Sequence, residues 1–160
     1  MAPTVWWKDG GQLVAAGFTL GVPHPSGFPI YALLAKAASL VPLGSIAFRI
    51  HLLSALCAAG TIGFAVLLVT QMQNNLKERA IWGPSLVTAA ALLSSYTFVL
   101  HGTTAEVYTP TSCAFAAALV CWHRAATGEP KARLLLAVVT GIGLGTHLSS
   151  FALITLVLWF

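Results

Sequence analysis

Ile46-Ala47-Phe48-Arg49-Ile50-His51-Leu52-Leu53-Ser54-Ala55-Leu56-Cys57-Ala58-Ala59-Gly60-Thr61-Ile62-Gly63-Phe64-Ala65-Val66-Leu67-Leu68-Val69-Thr70 is the longest apolar run in the chain, broken only by Arg49, His51 and small polar residues. At a helical rise of about 1.5 Å per residue it covers the ~30 Å hydrocarbon core of a bilayer. Polar Gln71-Met72-Gln73-Asn74-Asn75-Leu76-Lys77-Glu78-Arg79 closes it. The rest of the chain agrees. Of its 160 residues, 58% are hydrophobic and 8% charged, where a soluble domain has about a quarter charged. Mean hydropathy is +0.85. So little polar material cannot cover a water-facing surface, which predicts an integral membrane protein. The net charge of +4 therefore reports on membrane topology and does not mark a nucleic-acid surface. Cys57, Cys113 and Cys121 lie in apolar stretches without metal-like spacing and read as small buried hydrophobes.

Working outward, the chain divides into an outer loop over 1–45 and spans over 46–70, 84–100, 110–123, 134–146 and 148–160. Pro84 suits a first helical turn. The span over 110–123 is short and is expected to run into its flanks. Gly141, Gly143 and Gly145 precede Thr146-His147-Leu148-Ser149-Ser150, which reads as one helix, a break at His147 and the start of another. A single bent helix containing the glycines is the alternative. The predicted fold is all-α, a polytopic transmembrane bundle whose outer loop carries short interfacial helices. Lys77 and Arg79 in one loop, and Arg124, Lys131 and Arg133 in another, place those loops in the cytoplasm. The N-terminal region, the connector His101-Gly102-Thr103-Thr104-Ala105-Glu106-Val107-Tyr108-Thr109-Pro110 and the His147 break then share the outer side. Lys8, Lys36 and Arg49 also fall there, against the trend. No apolar anchor precedes Asp9, and the run ending at Trp159-Phe160 has no charged flank. The chain is thus expected to be the N-terminal part of a longer membrane protein, with 1–160 as one partial membrane domain.

The outer side gathers the ionisable residues. Asp9 is the only aspartate and sits in Trp6-Trp7-Lys8-Asp9-Gly10-Gly11-Gln12. Gly21, Pro23, Pro25, Gly27 and Pro29 stiffen the loop around His24 and exclude a long helix. After them Ile30, Leu33, Leu34, Ala37, Leu40 and Val41 recur at spacings of three and four, as in a helix lying in the interface plane. A re-entrant or core-packed helix fits the same pattern. A carboxylate in a partly dry site can act as a base, and cations at the membrane surface can hold a lipid phosphate. The plainer alternatives are solvated loop carboxylates for Asp9 and Glu106, snorkelling for Arg49 and His51, and a rigid loop contact for His24. His101 and His123 read as ordinary interfacial residues. A divalent metal on His24, His147 and the acids stays open, but no ligand spacing marks one.

These residues carry a family resemblance. Asp9-Gly10-Gly11-Gln12-Leu13-Val14-Ala15-Ala16 with Thr19-Leu20-Gly21-Val22-Pro23-His24-Pro25-Ser26-Gly27-Phe28-Pro29-Ile30-Tyr31 resembles the first outer loop of the protein O-mannosyltransferase-like membrane family. Arg49-Ile50-His51-Leu52-Leu53-Ser54-Ala55-Leu56, Ala105-Glu106-Val107-Tyr108 and Gly143-Leu144-Gly145-Thr146-His147 resemble its later motifs, in order, over essentially the whole chain. The resemblance implies a membrane glycosyltransferase of the GT-C class that uses a polyprenyl-phosphate-linked sugar on the outer face. That face belongs to a bacterial inner membrane, or to the endoplasmic reticulum in a eukaryote. It maps the acidic residue of the first outer loop to Asp9. Gln12 stands where the family usually has Glu, so a second acidic role there is lost.

Together these residues describe transfer of a sugar to a hydroxyl of an acceptor protein or glycan. Asp9 is the base and Glu106 orients it, orients the acceptor or binds a metal. Arg49, with Lys36 or His147, holds the departing phosphate. His24, Pro23, Pro25, Gly27 and Tyr108 shape the loop or bind substrate. The partners are the bilayer, the lipid-linked sugar and the acceptor, with no nucleic acid. No glycine-rich phosphate loop is present, in keeping with a donor that is not a nucleotide. Two rivals remain. A transporter fragment would need ionisable residues inside its spans, which hold little beyond Arg49 and His51. A non-catalytic membrane scaffold is the other, favoured by the fragmentary ends.

Overall fold

The computed structural model describes residues 9–25, 28–73, 78–149 and 151–152, and among them the secondary structure is entirely helical. The helices are α1 (Gly10–Thr19), α2 (Pro29–Ser39), α3 (Ile46–Met72), α4 (Glu78–Ser94), α5 (Tyr96–Thr103), α6 (Tyr108–Ala126) and α7 (Pro130–Thr146). The last predicted span, over 148–160, falls mostly outside the described residues.

Helix α3 is the axis of the molecule. Ser45 caps it, its hydroxyl accepting from the Phe48 amide at 3.2 Å, which satisfies one of the orphan donors of a first turn. Its 27 residues give about 40 Å of helix, more than a hydrocarbon core needs. Helix α6 packs along α3, and α7 along α6. Gly60 permits the first approach, because a Cβ there would stand 2.8 Å from Cys113 Sγ. Thr111 Oγ1 donates to Thr146 Oγ1 at 3.1 Å, a buried link between α6 and α7 one residue before the His147 break.

Helices α1 and α2 form a hairpin against the N-terminal end of α3, at the approach of Gly17 to Ala35. The turn between α2 and α3 is held by one side chain. Arg49 donates to three backbone carbonyls, from Nε to Leu43 at 2.8 Å, Nη1 to Ser39 at 2.6 Å and Nη2 to Gly44 at 3.0 Å. Leu13, Val14, Phe28, Tyr31, Ala35, Ala47, Ile50, Ala105 and Val107 make the buried cluster beneath. It joins the first outer loop to the Ala105–Val107 connector.

Two features differ from expectation. The predicted span over 84–100 is two helices. Pro84 lies inside α4 instead of at its start, and α5 turns away from 82–94 by 70°. The cause is local: Ser95 leaves helical geometry at ψ 111° and caps a new helix, its hydroxyl 3.4 Å from the Phe98 amide. Second, His51 is fully buried within α3 rather than reaching for the interface. Among the described residues α3 is the one helix long and apolar enough to cross a membrane, or one of two if the bent pair is a single span.

Candidate functional site

Three segments far apart in sequence meet through their rings. Phe28 ends the first outer loop, Tyr108 begins α6, and His147 lies just past α7. Phe28 is stacked on His147 with centroids 5.3 Å apart, and Tyr108 lies 5.6 Å from the same imidazole. The row extends both ways. His24 meets Phe28 edge-on at 5.2 Å, and His101 meets Tyr108 at 5.0 Å. Helix termination explains the placement. His147 is extended, at φ −159° and ψ 94°, so its ring leaves the helix axis. Phe28 adopts a left-handed conformation (φ 43°) directly before Pro29, an arrangement of high local cost for a bulky residue. Gly145 lets α7 close on α2, because a Cβ there would collide with Ile30.

Glu106 joins the row from the connector. Its Oε1 is 3.9 Å from His101 Nδ1, and both side chains are mostly shielded. Tyr31 is completely buried, and its phenol oxygen has no hydrogen-bond partner among the described residues. Burial pushes the Tyr31 phenol well above its ordinary range, and the Glu106 carboxylate pushes it further in the same direction. A carboxylate beside an imidazole and a desolvated phenol can accept a proton, or orient a hydroxyl brought to it.

Asp9 enters from the other side. It precedes α1, exposed, its carbonyl accepting from the Leu13 amide at 2.9 Å. One turn on, Gln12 Oε1 lies 3.3 Å from His24 Nδ1. Residues three apart share a helix face, so Asp9 stands one turn from the Gln12–His24 end of the row. Pro23 is buried and Pro25 exposed on either side of His24, whereas Gly27 lies outside the described residues.

The three cations expected around one phosphate do not converge. His147 packs on Phe28, at the start of α2. Arg49 is bound at the opposite end of α2, on Ser39, and eleven residues of helix separate those ends by about 16 Å. Lys36 Nζ donates to the Phe18 carbonyl at 2.7 Å and lies over the Phe18 ring at 5.1 Å, directed at the end of α1. The physical reason is competition. The carbonyls left open where α1 and α2 end accept from long cationic side chains, here Lys36 on Phe18 and Arg49 on Ser39. Among the described residues no group of three or more His, Cys, Asp or Glu is arranged to hold a metal ion.

Sequence reasoning passed over Phe28, Tyr31 and His101 as site members. Phe28 and Tyr31 were visible only as part of the Pro/Gly-rich motif. His101 carried one usable signal, its place five residues before Glu106 across a predicted helix end.

Residues 9–160 match the family model described as "Protein O-mannosyl-transferase TMEM260 N-terminal domain", and the chain belongs to that family. Among curated proteins, Protein O-mannosyl-transferase TMEM260 of Mus musculus is 46% identical over 52 residues. That stretch is 32% of this chain and 7% of the mouse protein, so the chain matches only a small part of that relative's length. No solved structure matches it.

Proposed function

We propose that this chain forms the outer-face part of an integral-membrane glycosyltransferase that moves a sugar, in the family's terms mannose, from a polyprenyl-phosphate donor to a protein hydroxyl. In this account 1–160 is one membrane domain of a larger polytopic bundle of the GT-C type, with the segments over 46–70, 84–100, 110–123, 134–146 and 148–160 in lipid. Its large exposed side chains, Leu56, Trp82, Leu86, Val87, Leu93 and Tyr96 among them, suit hydrocarbon better than water. The observation that carries the proposal is the meeting of Phe28, the Glu106–Tyr108 segment and His147, three segments far apart in the chain, in one row of contacts.

The chemistry is a displacement at the anomeric carbon. Asp9 takes the proton of the acceptor hydroxyl as its oxygen bonds to that carbon. The bond from the carbon to the phosphate oxygen breaks, and the lipid phosphate leaves with the electron pair. Glu106, steadied by His101, orients the acceptor or Asp9. His147, a member of the row, is assigned to the leaving phosphate. Arg49 and Lys36, bound to carbonyls elsewhere, are assigned to shaping the loop. Tyr108, half exposed beside two imidazoles, offers a ring face to the sugar.

The test uses the full-length membrane protein and radiolabelled polyprenyl-phosphate mannose. Asp9→Asn is expected to lower transfer by about 100-fold or more, the scale of a lost general base, with membrane insertion unchanged. Transfer at the wild-type rate would remove Asp9 from the mechanism. Solute flux without labelled product would favour a transporter.

A further inference from the structure

Between α2 and the outer half of α3 runs an apolar groove of about 330 Å³, lined by Leu34, Ala38, Val41, Leu53 and Leu56, with Arg49 as its charged member. Leu56 and Val41 are well exposed along it, as is Leu40 nearby. We propose that this groove holds one acyl chain of an anionic bilayer phospholipid, with the lipid phosphate on Arg49.

Three observations carry this. The groove lies along the first turns of α3, the helix long and apolar enough to cross a membrane. Its occupant therefore has hydrocarbon at its lower end and head groups at its mouth. Second, the guanidinium of this lining residue is fixed. Arg49 spends three N–H groups on Ser39, Leu43 and Gly44 carbonyls. A guanidinium has five, so one N–H on each of Nη1 and Nη2 remains beyond these three, and the charge suits a phosphate. Third, no carboxylate pairs with Arg49 among the described residues. A fixed cation without a counter-charge beside bare apolar surface is complementary to an anionic lipid. The position also argues against the sugar donor as occupant. Arg49 and His147 sit at opposite ends of α2, about 16 Å apart, so a phosphate on Arg49 is not the one that leaves beside His147. Lipid binding here shares with sugar transfer only the membrane placement of α3.

The test is native mass spectrometry of the full-length protein released from nanodiscs. The discs hold phosphatidylcholine alone, or with added phosphatidylglycerol or polyprenyl phosphate, and inorganic phosphate is titrated as a separate arm. Wild type is expected to retain one phosphatidylglycerol, about tenfold over phosphatidylcholine. Ala38→Trp and Val41→Trp fill the groove from a helix and from a loop, and either is expected to lose that lipid. Arg49→Gln is expected to equalise the two phospholipids. Helicity and monodispersity qualify each variant as folded, and should Arg49→Gln fail there, the tryptophan variants decide. Equal retention of both phospholipids by wild type, or wild-type retention by a folded tryptophan variant, overturns the proposal. Preferential retention of polyprenyl phosphate overturns it in favour of a donor site, and displacement by inorganic phosphate alone in favour of a simple anion site. Asp9→Asn is expected to leave lipid retention unchanged, so failure of the groove and failure of the transfer chemistry are read separately.

Discussion

At φ 43°, Phe28 holds a backbone conformation that a large side chain keeps only when its surroundings impose it. Those surroundings are the His24 edge, the His147 face and the buried cluster around Tyr31. Phe28→Ala removes the ring that joins the loop to the α7 break, at an expected cost of about 3 kcal/mol. Thermal unfolding in detergent measures it, and a change below about 1 kcal/mol would show that the loop is held by other contacts. Tyr31 makes a pH prediction. Its folded phenol is raised above the ordinary value of 10.0. The neutral phenol is therefore favoured in the fold, and its contribution is complete below pH 10.0 and falls as pH rises beyond it. Tyr31→Phe should flatten that alkaline loss, followed by helicity against pH. A loss as steep as that of wild type would place its origin in another group.

Helix α3 was legible from residues because an unbroken apolar run of that length has few alternatives. The α4–α5 bend was not. Ser94-Ser95 reads as two small polar residues inside an apolar run, and only Ser95 turning to cap Phe98 makes it a boundary. A serine hydroxyl satisfies either its own helix or a new one, and neighbours outside the segment decide which. Helix α6 runs over Tyr108–Ala126, past both ends of its predicted span at 110–123 as that span's shortness implied, though terminal turns rich in Thr, His and Arg carry no apolar signal to fix the ends. Contacts between elements were less legible still. Nothing in the sequence around Gly17 marks the partner that a Cβ there would strike, Ala35. Gly17→Val is expected to pry α1 from α2 and lower the unfolding temperature by several degrees, as an overpacked contact costs roughly 1–3 kcal/mol. An unchanged melt would mean that α1 docks loosely.

For the whole molecule, the fold brings Phe28, Tyr108 and His147 together but leaves Arg49 and Lys36 apart from them. Residue type alone marks Arg49 and Lys36 as phosphate ligands, whereas the fold ties them to helix-end carbonyls. His147, Tyr108 and Glu106 became neighbours only through the closure of α7 on α2 and of α6 on α3. The central claim is that Asp9 and the Glu106–His147 cluster face a single aqueous compartment outside the cytoplasm. Its most direct measurement replaces Cys57, Cys113 and Cys121, introduces Asp9→Cys or Glu106→Cys singly in the full-length protein, and labels sealed vesicles of known orientation with an impermeant maleimide. Both positions are expected to react from the extracytoplasmic side and to stay dark from the other. Labelling of the two from opposite sides of the bilayer would contradict the account.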